Sequence, residues 1–323
     1  MKRRRLQAED YTVGWISALP IEFAAAQELL DEEYKAPPQD NSDPTPYTLG
    51  RIGDHNVVLV CLPAGQTGTH AAATVATRMT SKFTSIRFGL MVGIGGGVPS
   101  AESDIRLGDV VISQPYLRHG GVVQYDCGKT GEGGHITRTG SLDAPPAVLL
   151  NAVSQLRALH YRGRSNLATY ISAFNGLENF RRDKASPDVL FEAAYNHIGG
   201  ATCEQCNKES VVKRTKRKGQ DVVIYYGTIA SGNQVIKDGV TRDRLSLELG
   251  GVLCYEMEAA GLMNHFPCLV IRGICDYADS HKNKGWQPYA AATAAACAKD
   301  VLSVIPAAEV ATTCTADDMI KWV

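Results

Sequence analysis

The chain alternates between short apolar runs and amphipathic stretches with helical spacing. Residues 11–19 alternate and then run apolar, which predicts a first buried strand. Pro20 ends that strand and suits the first turn of a helix, and residues 21–30 have helical spacing. Tyr47–Ile52 and Asn56–Cys61 then predict a hairpin with a tight, glycine-containing turn.

The same alternation continues through the rest of the chain. Buried strands are predicted at 88–92, 107–113, 221–230 and 268–275, and helices at 146–160, around 242–249 and at 290–305. Strands that alternate with helices predict one α/β domain, with helices on both faces of a largely buried sheet. We assign 11–305 to this domain, with a charged insertion at about 175–220. Residues 1–10 are expected to form a basic disordered tail and residues 306–323 a loosely attached C-terminal tail.

Composition excludes several classes of protein. The 323 residues are 44% hydrophobic and 21% charged, with a net charge of −1, so no overall field attracts nucleic acid or a membrane surface. No apolar run is long enough to span a bilayer. The basic start lacks the apolar segment of a secretory signal, so we expect a cytoplasmic protein. The run at 2–5, KRRR, is typical of a solvated tail, with nuclear import as the alternative.

Nine cysteines are distributed unevenly. Five lie in apolar segments, which predicts buried thiols in a reducing compartment. Cys203 and Cys206 form a lone CxxC pair in a polar stretch. With no second pair nearby, a zinc site lacks ligands, so we expect two free thiols and no bound metal or cofactor.

Two carboxylate clusters flank an apolar run near the end of the domain. Glu256 and Glu258 lie on either side of Met257, and Asp276 follows the strand at 268–275. Open α/β sheets bind ligands at the carboxyl ends of their strands, which favours a functional site over a structural ion network. Glu22 lies in the first turn of the first helix, where it either favours the helix dipole or faces a pocket.

Two glycine-containing turns add backbone groups to this edge. The turn PAGQTG at 63–68 opens an alanine-rich helix, and its N–H groups suit an anion or a sugar hydroxyl. The run at 93–97, GIGGG, ends a buried strand and lets the backbone approach a ligand closely. It lacks the GxGxxG spacing and the following acidic residue of a dinucleotide site, which excludes that cofactor class.

Six motifs occur in a characteristic order: ALPIE at 18–22, VGIGGG at 92–97, LGDVVIS at 107–113, SGNQVI at 231–236, YEMEAAG at 255–261 and RGICDYAD at 272–279. Together they resemble the nucleoside phosphorylase/nucleosidase superfamily, which includes purine nucleoside phosphorylases and methylthioadenosine/S-adenosylhomocysteine nucleosidases. The first and last motifs look most like its fungal branch. The resemblance implies a single-domain three-layer α/β/α sandwich around a mixed, largely buried sheet.

The resemblance also implies roles for individual residues. Asp276 matches the acid that protonates purine N7, which requires it to be protonated near neutral pH, and Glu22 matches the glutamate that activates the attacking water. Glu258 matches the glutamate that holds the ribose hydroxyls, with Met257 under the sugar and Glu256 in support. Further substrate-binding positions implied by the resemblance or by the SGNQVI motif are Asn233, Val235, Ile236, Gly95, Gly96 and Trp286, the last as an aromatic near the 5′ end.

Hydrolysis is the predicted reaction, on a purine ribonucleoside such as adenosine. Phosphorylases of the family bind phosphate with an arginine and a serine near the glycine run, whereas Met91 and Ile94 stand here. Glu22 occupies the region of a further phosphate-binding arginine and would repel phosphate. Backbone amides remain able to hold phosphate, so phosphorolysis stays open as an alternative.

Two rival functions remain open. A nucleotide N-glycosidase acting on AMP or ATP would grip phosphates with Arg181, Arg182 and the basic run at 213–218, although such runs are usually solvated loops. A purine-sensing domain without turnover is the non-enzymatic alternative. Family members are commonly oligomers, so we expect a homo-oligomer, with a dimer favoured and His119, Tyr125 or Asp126 as residues that reach across an interface.

Overall fold

The computed structural model describes residues 4–35, 43–132, 136–200, 202–218 and 222–320. Its strands are β1 Val13–Ser17, β2 Glu32–Tyr34, β3 Tyr47–Ile52, β4 His55–Cys61, β5 Phe88–Gly97, β6 Val110–Ser113, β7 Val122–Gln124, β8 Lys129–Thr130, β9 Ile136–Thr137, β10 Ile224–Gly227, β11 Ile229–Ser231, β12 Cys254–Glu256 and β13 Cys268–Asp276. Its α-helices are α1 Pro20–Glu28, α2 Thr69–Lys82, α3 Ala147–Tyr161, α4 Leu167–Ser172, α5 Gly239–Glu248, α6 Gln287–Ser303, α7 Ala307–Thr312 and α8 Ala316–Ile320.

Eleven strands form one mixed sheet, whose main path runs β10-β6-β13-β5-β1-β4-β3-β2. The central strands β13, β5, β1 and β4 are parallel, while β6 and β3 run antiparallel to their inner neighbours. Parallel strands are stable when both faces are covered, which explains their nearly continuous apolar sequences.

Consecutive residues of β1 show how the two faces are covered. Trp15 packs into one core with α1, α3 and α6, and Ile16 packs into a second core with α2. Both side chains are fully buried, because successive residues of a strand point to opposite faces. The predicted three-layer α/β/α sandwich around a mixed sheet is therefore confirmed.

β5 is the strand that joins the parts of the molecule. It pairs in parallel with β1 and β13 over most of its length. Its last residues, Gly96 and Gly97, then pair antiparallel with Tyr255 and Cys254 of β12. β12 continues through β11 to β7, so this side branch of the sheet is attached at the carboxyl end of β5.

The hairpin and the first helix were predicted closely. β3 and β4 pair antiparallel from Tyr47–Val60 to Ile52–His55, and α1 begins at Pro20. The strand predicted at 107–113 begins only at Val110, because Gly108 has a φ of +87° that interrupts an extended backbone.

The described parts of both tails, residues 4–10 and 306–320, are more ordered than predicted, and residues 1–3 and 321–323 lie outside the described residues. In the N-terminal tail, the Arg4 carbonyl accepts a hydrogen bond from Lys35 N, and Ala8–Asp10 forms a turn of 3-10 helix. In the C-terminal tail, Val310 and Ala316 are buried, and Ala316 N donates to the carbonyl of Ile86. These contacts place the C-terminal tail at the amino end of β5.

The insertion at about 175–220 contains short 3-10 turns and one bridge between Phe191 and Val211 within its described residues. Its basic run is only partly solvated. Arg217 donates to both carboxylate oxygens of the buried Asp109, and Arg214 pairs with Asp188. The expectation of a solvated loop is therefore wrong at these two arginines. No helix of the described chain is long and apolar enough to cross a membrane.

Gly273 of β13 allows α6 to pack directly on the sheet. An added Cβ would lie 1.9 Å from the Ala290 carbonyl oxygen, which is backbone and cannot rotate away. We expect Gly273→Ala to lower the free energy of unfolding by about 2–4 kcal/mol, measured by urea titration. Gly176→Ala is the matched control, because no atom lies within 4 Å of its added Cβ. Equal stability of the two variants would contradict the packing argument.

Candidate active site

Four predicted carboxylates lie at one end of the sheet, on elements that meet at the carboxyl ends of β5 and β13. Glu22 lies in the first turn of α1, and Asp276 is the last residue of β13. Glu256 ends β12, and Glu258 follows it by two residues. The antiparallel pairing of β12 with β5 brings the last two glutamates to the same edge as the others.

Glu22 is held by backbone N–H groups on both carboxylate oxygens. Oε2 accepts from Ala18 N at 2.7 Å and Leu19 N at 2.9 Å, and Oε1 accepts from Ile94 N at 2.8 Å. Burial raises the pKa of Glu22, and the Arg272 guanidinium and the three N–H groups act in the opposite direction. Because all three backbone groups donate, the arrangement suits an ionised carboxylate in a fixed orientation.

Arg272 is the centre of this site. Its side chain is fully buried, and Nη2 donates to Glu256 Oε2 and lies 3.4 Å from Glu258 Oε2. Burial by itself lowers the pKa of Arg272, but the carboxylates of Glu256, Glu258 and Glu22 outweigh burial and raise it. The guanidinium therefore stays charged and offsets part of the repulsion among three buried glutamates.

Glu256 and Glu258 differ in their surroundings. Glu256 accepts from the backbone N–H groups of Glu258 and Ala259, which fixes the turn between them. Glu258 Oε1 accepts from Gly68 N at 3.2 Å, at the turn that opens α2. Burial raises the pKa of Glu258 to about 7, with Arg272 lowering it and Glu256 raising it further.

The glycine run at 93–97 makes room for the acidic groups. A Cβ on Gly93 would lie 2.4 Å from Arg272 Nη1 and 2.5 Å from Glu22 Oε1. A Cβ on Gly96 would lie 2.8 Å from Asp276 Oδ1, and one on Gly95 would lie 3.1 Å from the Tyr255 carbonyl oxygen. A side chain at Gly93 or Gly96 would therefore displace a charged group, while one at Gly95 would press on the backbone of β12.

Asp276 is held from three directions. Oδ1 accepts from Ala278 N at 2.8 Å, and Lys282 Nζ lies 3.2 Å from the same oxygen. The Cys275 thiol donates to Oδ2 at 3.3 Å. The side chain is 11% exposed, so it is more accessible to solvent than the buried side chains of Glu22 and Arg272.

The other substrate-binding candidates occupy different environments. Asn233 Oδ1 accepts from the backbone and hydroxyl of Thr69, which ties the SGNQVI motif to the start of α2. Met257 is half-buried, Ile236 is buried and Val235 is exposed.

Trp286 departs from its predicted position. Its ring is fully buried in the core, lies beside Tyr289 and is covered by the Arg182 guanidinium 4.1 Å from the ring centroid. An indole packed in this way has no surface for a ligand, so the prediction of an aromatic at the 5′ end is corrected here.

The residues proposed to reach across an interface bond within their own chain. His119 Nε2 contacts the Leu249 carbonyl at 3.0 Å, and Asp126 Oδ2 accepts from Asn233 N at 2.7 Å. The Tyr125 hydroxyl donates to the Gln234 carbonyl. Asp126 and Tyr125 therefore brace the SGNQVI segment from within the chain.

Sequence reasoning missed Arg272 and Lys282. Arg272 could have been found, because it is the one basic residue in the otherwise apolar run CLVIRGIC at 268–275. A charge in a buried strand requires partners, and the nearby carboxylates were already identified. Lys282 lies in a polar loop and carries no comparable signal. A separate cavity of ≈ 820 Å³, lined by Arg157, His160 and Tyr226 among others, contains none of the four carboxylates.

Nearly the whole chain is similar to known proteins. Residues 12–305 match the model of the Phosphorylase superfamily. A nucleotide-binding leucine-rich repeat (NLR)-like protein of Hyaloscypha variabilis is 49% identical over 94% of this chain, which spans 30% of that protein. ATP nucleosidase Cap17 of Escherichia coli is 24% identical over 89% of this chain, which spans 50% of that protein. The chain thus spans half or less of these two relatives.

The fold is also that of solved structures. The 5′-methylthioadenosine/S-adenosylhomocysteine nucleosidase of S. pneumoniae superposes with a TM-score of 0.58 and 18% identity, covering 92% of this chain and all of that one. Identity at this level supports a shared fold.

Glu258 gives a pH-dependent contribution to stability that can be measured. Its usual pKa of 4.5 rises to about 7 in the folded protein, so the folded state holds the proton more tightly. Stability from this group is fully present below about pH 4.5 and is lost as pH rises through 7. An amide cannot ionise, so the stability of Glu258→Gln relative to wild type should increase by about 1–3 kcal/mol between pH 5 and 8.

Urea unfolding at each pH measures the difference in stability between Glu258→Gln and wild type. Any destabilisation by the amide that does not depend on pH is the same at pH 5 and pH 8, so it does not affect the change between them. The exposed Glu209→Gln is the control and should follow wild type at every pH. Parallel curves for Glu258→Gln and wild type would contradict the raised pKa.

Proposed function

Since the chain belongs to the phosphorylase superfamily, we propose that it is a purine ribonucleoside N-glycosidase, which uses water to release free base and ribose. Breaking the N-ribosidic bond builds positive charge on the sugar and negative charge on the base. Preorganised carboxylates beside the sugar and an acid beside the base stabilise both charges.

Each acidic group has one role in the proposed reaction. Asp276 gives its proton to N7 of the departing base, while Glu22 accepts a proton from the water whose oxygen bonds to C1′. Glu258 holds the ribose hydroxyls, and Met257 lies under the sugar. The proton gained by Glu22 returns through solvent to Asp276, so both groups are restored after each turnover.

The observation that carries this proposal is the arrangement of Glu22. Three backbone N–H groups aim its carboxylate at a fixed position next to Arg272 and the glycine run. A water can donate to such a carboxylate, whereas a phosphate dianion would be repelled by it. Within the described chain, Arg272 is the one cation that contacts the glutamates of the site. It already pairs with Glu256 and Glu258, so it is not free to bind a phosphate.

The contacts of the arginines support a nucleoside over a nucleotide. Arg214 and Arg217 pair with aspartates, Arg181 pairs with Asp183, and Arg182 covers Trp286. A phosphate would have to break these contacts to be bound. The lysines of the basic run at 213, 216 and 218 are exposed, and the relation to an ATP nucleosidase makes ATP the substrate to compare.

The reaction class is tested with a phosphate-free assay of adenosine, inosine, guanosine, AMP and ATP. We expect the nucleosides to release free base and ribose at the same rate with and without added phosphate, because Glu22 favours water as the nucleophile. Base release that requires phosphate and yields ribose 1-phosphate would exclude hydrolysis. Turnover of ATP alone, lost when the lysines at 213, 216 and 218 are replaced by glutamine, would favour the nucleotide alternative. No turnover of any substrate would favour a purine sensor.

The assigned roles are tested with isosteric amides. Asp276→Asn and Glu22→Gln should each lower the rate of base release by about 10²–10⁴-fold, because neither amide can transfer the required proton. Circular dichroism and thermal unfolding check that both variants fold. Asp183→Asn, at an exposed ion pair, is the matched control and should keep wild-type activity. Wild-type rates in either site variant would remove that residue from the mechanism.

A further inference from the structure

Three metal-ligating side chains meet in the insertion. Cys203 and Cys206 lie on one turn, closed by a hydrogen bond of 3.1 Å from Cys206 N to the Cys203 carbonyl. His197 folds back onto this turn, so that one ligand atom from each of the three residues lies within 4.8 Å of the others. In the sequence only the two cysteines stand close enough to act as ligands together, and the fold supplies the third ligand.

His281 is the candidate for a fourth ligand. Its side chain is 6% exposed, and neither ring nitrogen has a hydrogen-bond partner. The ring is stacked on Phe191 with 4.0 Å between centroids, and it meets the His197 ring edge-on at 5.6 Å. A buried imidazole without a partner needs an explanation, and a bound metal ion supplies one.

We propose that His197, Cys203, Cys206 and His281 bind one Zn²⁺ ion. Two thiolates and two imidazoles are a tetrahedral ligand set that zinc prefers. Each cysteine loses its proton to solvent on binding, so two thiolates neutralise the charge of the ion. The neutral imidazoles add no charge, which suits a half-buried position.

Neighbouring groups fit the orientation that such ligands need. Asp279 Oδ1 lies 3.8 Å from His281 Nδ1, so a small shift lets it accept from that nitrogen and leaves Nε2 for the metal. His197 Nε2 lies 3.1 Å from the Thr202 carbonyl oxygen, to which it can donate. Nδ1 now accepts a hydrogen bond from Gly199 N, and it would bind the metal once that hydrogen bond is broken. Backbone carbonyls and carboxylates are the usual partners of zinc-bound histidines.

The ion would fasten the insertion to the loop that follows Asp276. His197 N donates to Ser280 Oγ at 2.9 Å, and that hydroxyl lies 3.4 Å from Asn196 Oδ1. Zinc bound by His197 and His281 would strengthen this junction, beside the candidate active site and independently of its chemistry.

The test is the zinc content of the 323-residue chain, purified under reducing conditions without chelator. Inductively coupled plasma mass spectrometry measures the zinc. We expect about one zinc per chain, and loss of the zinc in Cys203→Ser and Cys206→Ser. The exposed Cys127→Ser is the matched control and should keep the metal. His281→Gln should lower the zinc affinity by at least about 100-fold, and Asp279→Asn by about 10–100-fold.

A second measurement uses the wild-type chain, so it does not depend on whether the variants fold. Removal of zinc from the wild-type chain with a chelator should lower its melting temperature, and added Zn²⁺ should restore it. Cobalt in place of zinc should give the visible absorption of a tetrahedral thiolate site. A reduced wild-type chain that binds no Zn²⁺, zinc retained in Cys203→Ser, or unchanged affinity in His281→Gln would each overturn the four-ligand site.

Discussion

The burial of one guanidinium among three carboxylates is the interaction on which the candidate site depends. Arg272 lies on the central strand pair, and removing it would leave Glu256 and Glu258 buried without a counter-charge. Such an uncompensated charge costs about 3–5 kcal/mol. This ion cluster also requires glycine in β5, because a side chain at Gly93 would occupy the space of both Arg272 and Glu22. The buried charges can pair only if the backbone of β5 lies close to them, so both conditions must be met together.

The fold was predictable where local physical signals are strong. The proline that starts α1, the hairpin of β3 and β4, and the long apolar runs of β5 and β13 each have a period or a turn that selects one structure. The strand predicted at 221–230 divides into β10 and β11, while β7 and β12 were not predicted, because they have only three residues each and pair with β11 across a distance in sequence. The ordered structure of the C-terminal tail was not predicted either, because the tail is held by a tertiary contact with Ile86.

The candidate site was predictable to a similar degree. Carboxylates beside strand ends and glycine runs predicted that these groups meet at one edge of the sheet, where the structure has them together. The resemblance of six motifs identified the family. Trp286 was misplaced, because sequence cannot distinguish an aromatic that lines a pocket from one that starts a helix under an arginine. The partners of Arg214 and Arg217 were missed for a related reason. A basic run looks solvated until folding brings aspartates from other segments to it.

The charge of Arg272 acts on three glutamates at once, which has a consequence for how they titrate. Burial raises the pKa of Glu22 and of Glu258, and each responds to the charge of the same guanidinium. Protons therefore leave the group in macroscopic steps that belong to the cluster and to no single residue. A pH–rate profile of the proposed hydrolysis would report those collective steps. Neutralising one glutamate will shift the limb assigned to another, so apparent ionisation constants from single variants will not add.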